Sequence, residues 1–310
     1  MSIRVRAAAL LTALATAAAL GVPVAARAGA VNQPIVADLT GDGLVDEAFL
    51  GATAPNYCSV ILFPGAPPGL FVPPSAYVYL RPVRNGGPEV CPDVGTAFDW
   101  DGDGANELWI GWSRGQPATL SYNRLILDDG RHGFRPLSAF LSPVTPVLLD
   151  TAVFTPGGVP TPYSLGRGGF APYIFHGTVV ELGPQRWCST YTPGLRLRDL
   201  NGNGAVDALL AYRQGCTDHA NGVVVILDNG HVQQLERGTA TWTATFVFAN
   251  ADRIADVRTR NQVTGRVRYF IGRGDGTFAP ALAAGPNTVT AEPNRVMAGH
   301  GAAVTIRTNG

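Results

Sequence analysis

Short acidic turns recur along this 310-residue chain, and their spacing constrains the fold more than any other feature. Intact copies are Asp38-Leu39-Thr40-Gly41-Asp42-Gly43-Leu44-Val45-Asp46, Asp99-Trp100-Asp101-Gly102-Asp103-Gly104-Ala105-Asn106-Glu107 and Asp199-Leu200-Asn201-Gly202-Asn203-Gly204-Ala205-Val206-Asp207. They begin at 38, 99 and 199, and the longer interval is about twice 50 residues. A degenerate copy is therefore expected near 150, where Val147-Leu148-Leu149-Asp150 lies. Phe248-Ala249-Asn250-Ala251-Asp252-Arg253-Ile254-Ala255-Asp256 keeps the third, fifth and ninth positions but lacks the first acid and the turn glycine. Val296-Met297-Ala298-Gly299-His300-Gly301 is a last trace.

The same elements recur around each turn. A short apolar run leads in, such as Leu195 to Leu197, a second follows, such as Ala208 to Tyr212, and a third, such as Val223 to Leu227, ends in a Gly/Asp turn. A weaker fourth run closes the unit. The runs are short, rich in β-branched and aromatic residues and bounded by turn formers, so they read as strands. No helical periodicity follows the N-terminal region. Four strands in about 50 residues is the signature of a propeller blade, whose two faces must be buried by its neighbours. The expectation is an all-β chain: a β-propeller of about 5–6 four-stranded blades over 29–310, with calcium loops between first and second strands. Ala303 to Ile306 is the candidate strand for closing the ring, and an antiparallel sandwich array is the competing architecture.

Composition fits this picture. Gly 38 and Pro 24 favour turns over helices, and the 23 basic residues, all Arg, balance 23 acids, so no nucleic-acid surface is expected. Arg4 and Arg6 followed by the apolar run Ala7 to Leu20, with small-x-small cleavage sites at Ala26-Arg27-Ala28 and Ala28-Gly29-Ala30, read as a secretory signal over residues 1–28. No later segment is apolar enough to span a membrane, so a secreted, monomeric protein is expected. Cys58, Cys91, Cys188 and Cys216 then read as two disulfides. Three connectivities are possible. The short loops Cys58–Cys91 and Cys188–Cys216 are favoured, because each pair joins a turn between second and third strands to an interblade link on the same end of the blades.

The turns suit a hard cation. Calcium takes six to eight oxygen ligands. Acids at positions 1, 3 and 5 point inward while glycines at 4 and 6 permit the bend, position 7 offers a carbonyl, and position 9 another carboxylate. The candidate metal ligands are Asp38, Thr40, Asp42, Leu44 and Asp46; Asp99, Asp101, Asp103, Ala105 and Glu107; and Asp199, Asn201, Asn203, Ala205 and Asp207. By carboxylate count the second loop binds tightest and the third weakest. An EF-hand needs a glutamate at position 12, where this chain has Phe49, Ile110 and Leu210.

The pattern D-x-[DNT]-G-[DN]-G-x-x-[DE] leading into a strand, together with Phe270-Ile271-Gly272-Arg273-Gly274-Asp275-Gly276-Thr277-Phe278, resembles the FG-GAP/VCBS repeats of integrin alpha-chain propellers and many secreted bacterial proteins. The resemblance covers roughly 35–310 and implies a Ca2+-stabilised propeller acting in extracellular recognition or cell adhesion, with a protein or carbohydrate ligand and no catalysis. A secreted lyase or hydrolase on the same scaffold is the alternative. The tripeptide Arg273-Gly274-Asp275 reads as part of its turn, and the five histidines have no metal-ligand spacing. No nucleophile elbow, P-loop or dinucleotide motif is present.

Overall fold

The alternating and doubly apolar runs build five consecutive antiparallel sheets. The computed structural model describes residues 29–54, 57–67, 69–80, 91–114, 122–127, 134, 136–177 and 179–279. The expected signal, the trace at 296–301 and the strand at 303–306 lie outside the described residues. Every regular element described is a strand.

The first sheet orders Ile35–Ala37, Asp46–Ala54, Tyr57–Phe63 and Ser75–Leu80 as neighbours, with a small ribbon of Gly65–Ala66 and Leu70–Phe71 set between its last two strands. The second comprises Val94–Phe98, Glu107–Gly111, Tyr122–Leu127 and Pro136–Ser142. The third comprises Thr145–Ala152, Thr161–Arg167, Gly169–His176 and Val179–Leu182, and the fourth Gly194–Arg198, Asp207–Tyr212, Asn221–Ile226 and Val232–Gly238. Trp242–Val247, Asp256–Asn261 and Val267–Phe270 form the fifth. One strand breaks the sequential order. Gly29–Ala30 pairs with the free side of the third sheet's first strand, Gly29 opposite Leu149 and Ala30 opposite Leu148.

Successive sheets pack face to face through four cores. Ile35, Ala48 and Val60 meet Leu108, Ile110 and Trp112. Phe98 and Trp109 meet Leu149 and Tyr173. Phe154, Tyr163 and Phe170 meet Leu210, Tyr212 and Val224. Leu209, Val223 and Val225 meet Phe246, Val257 and Phe270. This explains the unbroken apolar runs. In Ala208-Leu209-Leu210-Ala211 the even positions face the third sheet and the odd positions the fifth, so alternation by polarity has no role.

Both disulfides have the expected partners, Cys58–Cys91 and Cys188–Cys216, with Cα atoms 5.4 and 5.6 Å apart. One detail differs from the expectation. Cys58 lies within a strand rather than in the turn before it, because Tyr57 already pairs with Leu80.

Residue 150 also differs. Asp150 is not in a turn but inside the third sheet's first strand, and the turn comes at 153–160, which contains no acid. The Asp150 carboxylate is buried and accepts hydrogen bonds from Tyr163 Oη (3.1 Å) and the Thr151 N–H (2.8 Å). Burial outweighs those bonds and pushes its pKa up to about 6. Its folded pKa thus exceeds the unfolded one, so its contribution is most favourable below about pH 4 and is lost as pH rises through about 6. Asp150→Asn is expected to stabilise the protein at pH 7.5 by roughly 2 kcal/mol, and the gain should vanish at pH 4. Thermal melts of both proteins at the two pH values check it.

Candidate metal centre

All three acidic loops join the first and second strands of their sheets, at residues 38–46, 99–107 and 199–207. Their backbones repeat closely. Glycines at positions 4 and 6 occupy the left-handed region in each: Gly41 and Gly43 (φ 71° and 81°), Gly102 and Gly104 (80° and 94°), Gly202 and Gly204 (77° and 86°). A side chain at these positions would be strained. The first aspartate bridges both glycines, since Asp38, Asp99 and Asp199 each accept the N–H of residues three and five further on, at 2.7–3.1 Å. Position 5 accepts the position-7 N–H in all three, through Asp42, Asp103 and Asn203.

The ninth position does something the sequence pattern did not reveal. Asp46 accepts the Leu39 and Thr40 N–H groups on one oxygen (2.7 and 3.0 Å) and the Gly65 N–H on the other (2.7 Å). Asp207 likewise accepts Leu200 N–H and Asp228 N–H, both at 2.8 Å. Asp256 accepts Ala249 N–H at 2.6 Å and Gly272 N–H at 2.8 Å. Each fully buried carboxylate therefore ties its own loop to the turn after the third strand. Burial holds Asp207 up to about 6 against the pull of those N–H groups, and the charges of Asp228 and Asp199 raise it further. Asp256 retains this role in a loop that lacks the first acid, where Arg253 takes the left-handed conformation (φ 63°) held elsewhere by glycine.

Among the described residues, three carboxylates converge in the second loop. Oxygens of Asp99, Asp101 and Glu107 all lie within 4.8 Å of one another. Two oxygens bound to one calcium at about 2.4 Å can be separated by at most about 4.8 Å, so this set fits a single cation. Glu107 is longer than the aspartates at its position elsewhere, and it accepts the Trp100 N–H at 2.6 Å through one oxygen. Burial, then the charges of Asp101 and Asp99, push the Glu107 carboxyl up to about 7. A divalent cation reverses that repulsion. Asp103 is outside the trio, its Oδ1 taken by the Ala105 N–H at 2.9 Å.

In the first loop, Thr40 Oγ1 is buried beside the Asp46 carboxyl without a hydrogen bond of good geometry, an orphaned oxygen at an expected ligand position. In the third, the side-chain amides of Asn201 and Asn203 donate to Asp228, each at 3.0 Å. Asp228 belongs to the turn after the third strand and adds a carboxylate that the loop motif did not include. The loops of neighbouring sheets also touch: Asn106 donates through its backbone N–H and its amide to the Asp38 carbonyl (2.9 and 2.8 Å), and Val206 N–H reaches the Val153 carbonyl at 2.7 Å.

No protein-family model matches the chain, and no curated protein is significantly similar to it.

Proposed function

We propose that this protein is a secreted, calcium-binding β-propeller of the FG-GAP/VCBS type that serves extracellular recognition or adhesion, with a protein or glycan ligand and without catalysis. The observation that carries the metal half is the convergence of Asp99, Asp101 and Glu107 within 4.8 Å on a loop bent by two left-handed glycines. The repeated sheet-on-sheet cores and the loop contacts between the first and second and between the third and fourth sheets support a ring, and the two disulfides support export. Among the described residues, no helix is long and apolar enough to cross a membrane. Calcium bound by the second loop would be held by Asp99, Asp101 and Glu107, offsetting their mutual repulsion and stiffening the connection between two strands.

Calorimetric titration of the mature chain tests the proposal. Calcium is expected to bind with a Kd on the order of 10⁻⁴–10⁻³ M. Asp101→Asn should weaken the tightest site about tenfold or more while leaving the metal-free protein folded, because Asp101 is exposed. An unchanged isotherm in that variant, or no calcium uptake by the wild type, would remove the metal reading.

A further inference from the structure

The fifth sheet breaks the apolar pattern of the others. Positions two and four residues after the ninth loop residue face the following sheet: Ala48 and Leu50, Trp109 and Gly111, Leu209 and Ala211. In the fifth sheet they are Arg258 and Arg260. Both project from the face opposite Val257, which packs on the fourth sheet. Their register partners on the neighbouring strand are Thr245 and Thr243. Arg196, from the first strand of the fourth sheet, joins them, so that Arg196, Thr243, Ala244, Thr245, Arg258 and Arg260 line one open cavity of about 220 Å³. That is several times the roughly 30 Å³ share of one water.

Three arginines line this cavity and no acid does, with Arg260 exposed and Arg196 and Arg258 half-buried. Arg196 uses one N–H on the Leu195 carbonyl at 2.8 Å. Arg258 Nε is buried and has no hydrogen-bond partner. Among the described residues none of the three forms an ion pair. Two acids of the adjoining strands are engaged elsewhere: Asp256 on the Ala249 and Gly272 N–H groups, and Glu236 with Arg268 at 2.8 Å and with Thr259 Oγ1 at 2.9 Å. A buried Arg258 Nε donor without a partner favours an oxygen acceptor in the cavity, and guanidinium forks match oxyanions two bonds at a time.

We infer that this cavity binds an oxyanion, the sulfate, phosphate or carboxylate group of an acidic ligand, with Arg258 and Arg260 as its main contacts and Thr243 and Thr245 supplying neutral hydroxyl groups. The site shares no residue with the acidic loops and stands without the calcium reading. It supplies an attachment chemistry for the recognition role proposed above.

Titration of the mature chain with sodium sulfate, sodium phosphate and sodium glucuronate, at ionic strength held constant with chloride, tests the inference by calorimetry and thermal melting. The series is run in EDTA, and the sulfate and glucuronate arms also in calcium. Saturable binding of at least one anion is expected, and the tightest of the three names the group carried by the ligand. Arg258→Gln and Arg260→Gln should each weaken it tenfold or more, whereas Arg237→Gln, at an exposed pair with Asp218, should leave it unchanged. Anion-free melts should show both cavity variants folded and close to wild type in stability, since among the described residues neither arginine forms an ion pair; if one fails to fold, the other and Thr243→Val decide. No saturable binding of any of the three by the wild type, or equal binding by the cavity variants, would overturn the site. Binding in EDTA by a chain that takes up no calcium would sink the metal reading and leave this one in place.

Discussion

Asp256→Ala is expected to destabilise the protein by roughly 3 kcal/mol or more, and calcium should not restore the loss. The side chain is fully buried, and its two oxygens accept the N–H groups of Ala249 and Gly272. Alanine leaves both buried donors unpaired, at about 1–3 kcal/mol each. It also frees the turn after the third strand from the loop before the second. The loop around Asp256 has no first acid, so the loss is separate from any metal. Asp101→Asn is the contrast, with lower calcium affinity and little change without calcium. Urea unfolding of both variants in EDTA and in saturating calcium distinguishes the two roles. If Asp256→Ala matched the wild type, or recovered with calcium, the carboxylate would not be acting as a tie between segments.

Loss of both disulfides should have a larger effect still. Cys58–Cys91 and Cys188–Cys216 close loops with sequence separations of 33 and 28. Chain-entropy arithmetic assigns each about 3–4 kcal/mol. Together they approach the roughly 5–15 kcal/mol that holds a typical domain folded. Each bond also fastens an intersheet link to the adjacent end of a strand or loop, and at Cys188–Cys216 it adds to the Ser189–Gly215 bridge and the Thr190 N–H bond to the Gln214 carbonyl. Melting with and without reductant measures the sum, and the double replacements Cys58→Ser with Cys91→Ser, and Cys188→Ser with Cys216→Ser, measure the parts. A reduced protein that melts within a few degrees of the oxidised one would show that the sheets hold together without the crosslinks.

Much of the fold was legible because the chain repeats itself. Glycines at loop positions 4 and 6 mark backbone that only glycine adopts without strain, and the apolar runs after them mark strands buried on both faces. The third sheet was located only approximately. Its turn, Val153-Phe154-Thr155-Pro156-Gly157-Gly158-Val159-Pro160, has no acid to signal it, and Asp150 drew attention to the strand instead. The ninth-position carboxylates were read only as ligands, because an ion and a pair of N–H groups call for the same residue, and the tie between loop and turn is a role added to that reading. The signal that separates the roles was present in Asp256, kept where the first acid is gone. Asp228 lies more than twenty residues from its loop and is reached only through the third strand. Arg258 and Arg260, two residues apart, share one strand face, but that Arg196 lines the same cavity follows from the packing of two sheets.

The pairing of Gly29 with Leu149, reinforced by the hydrogen bond from Asn32 N–H to the Asp93 carbonyl, has a bearing on how the chain is made. At roughly 5–20 residues per second, the ribosome needs about 6–24 s after Gly29 to deliver its partner. The start of the chain must wait, exposed, for a docking edge that does not yet exist. A tag ahead of residue 29 would therefore emerge between the second and third sheets, where its bulk is felt during assembly, and not at a loose outer end.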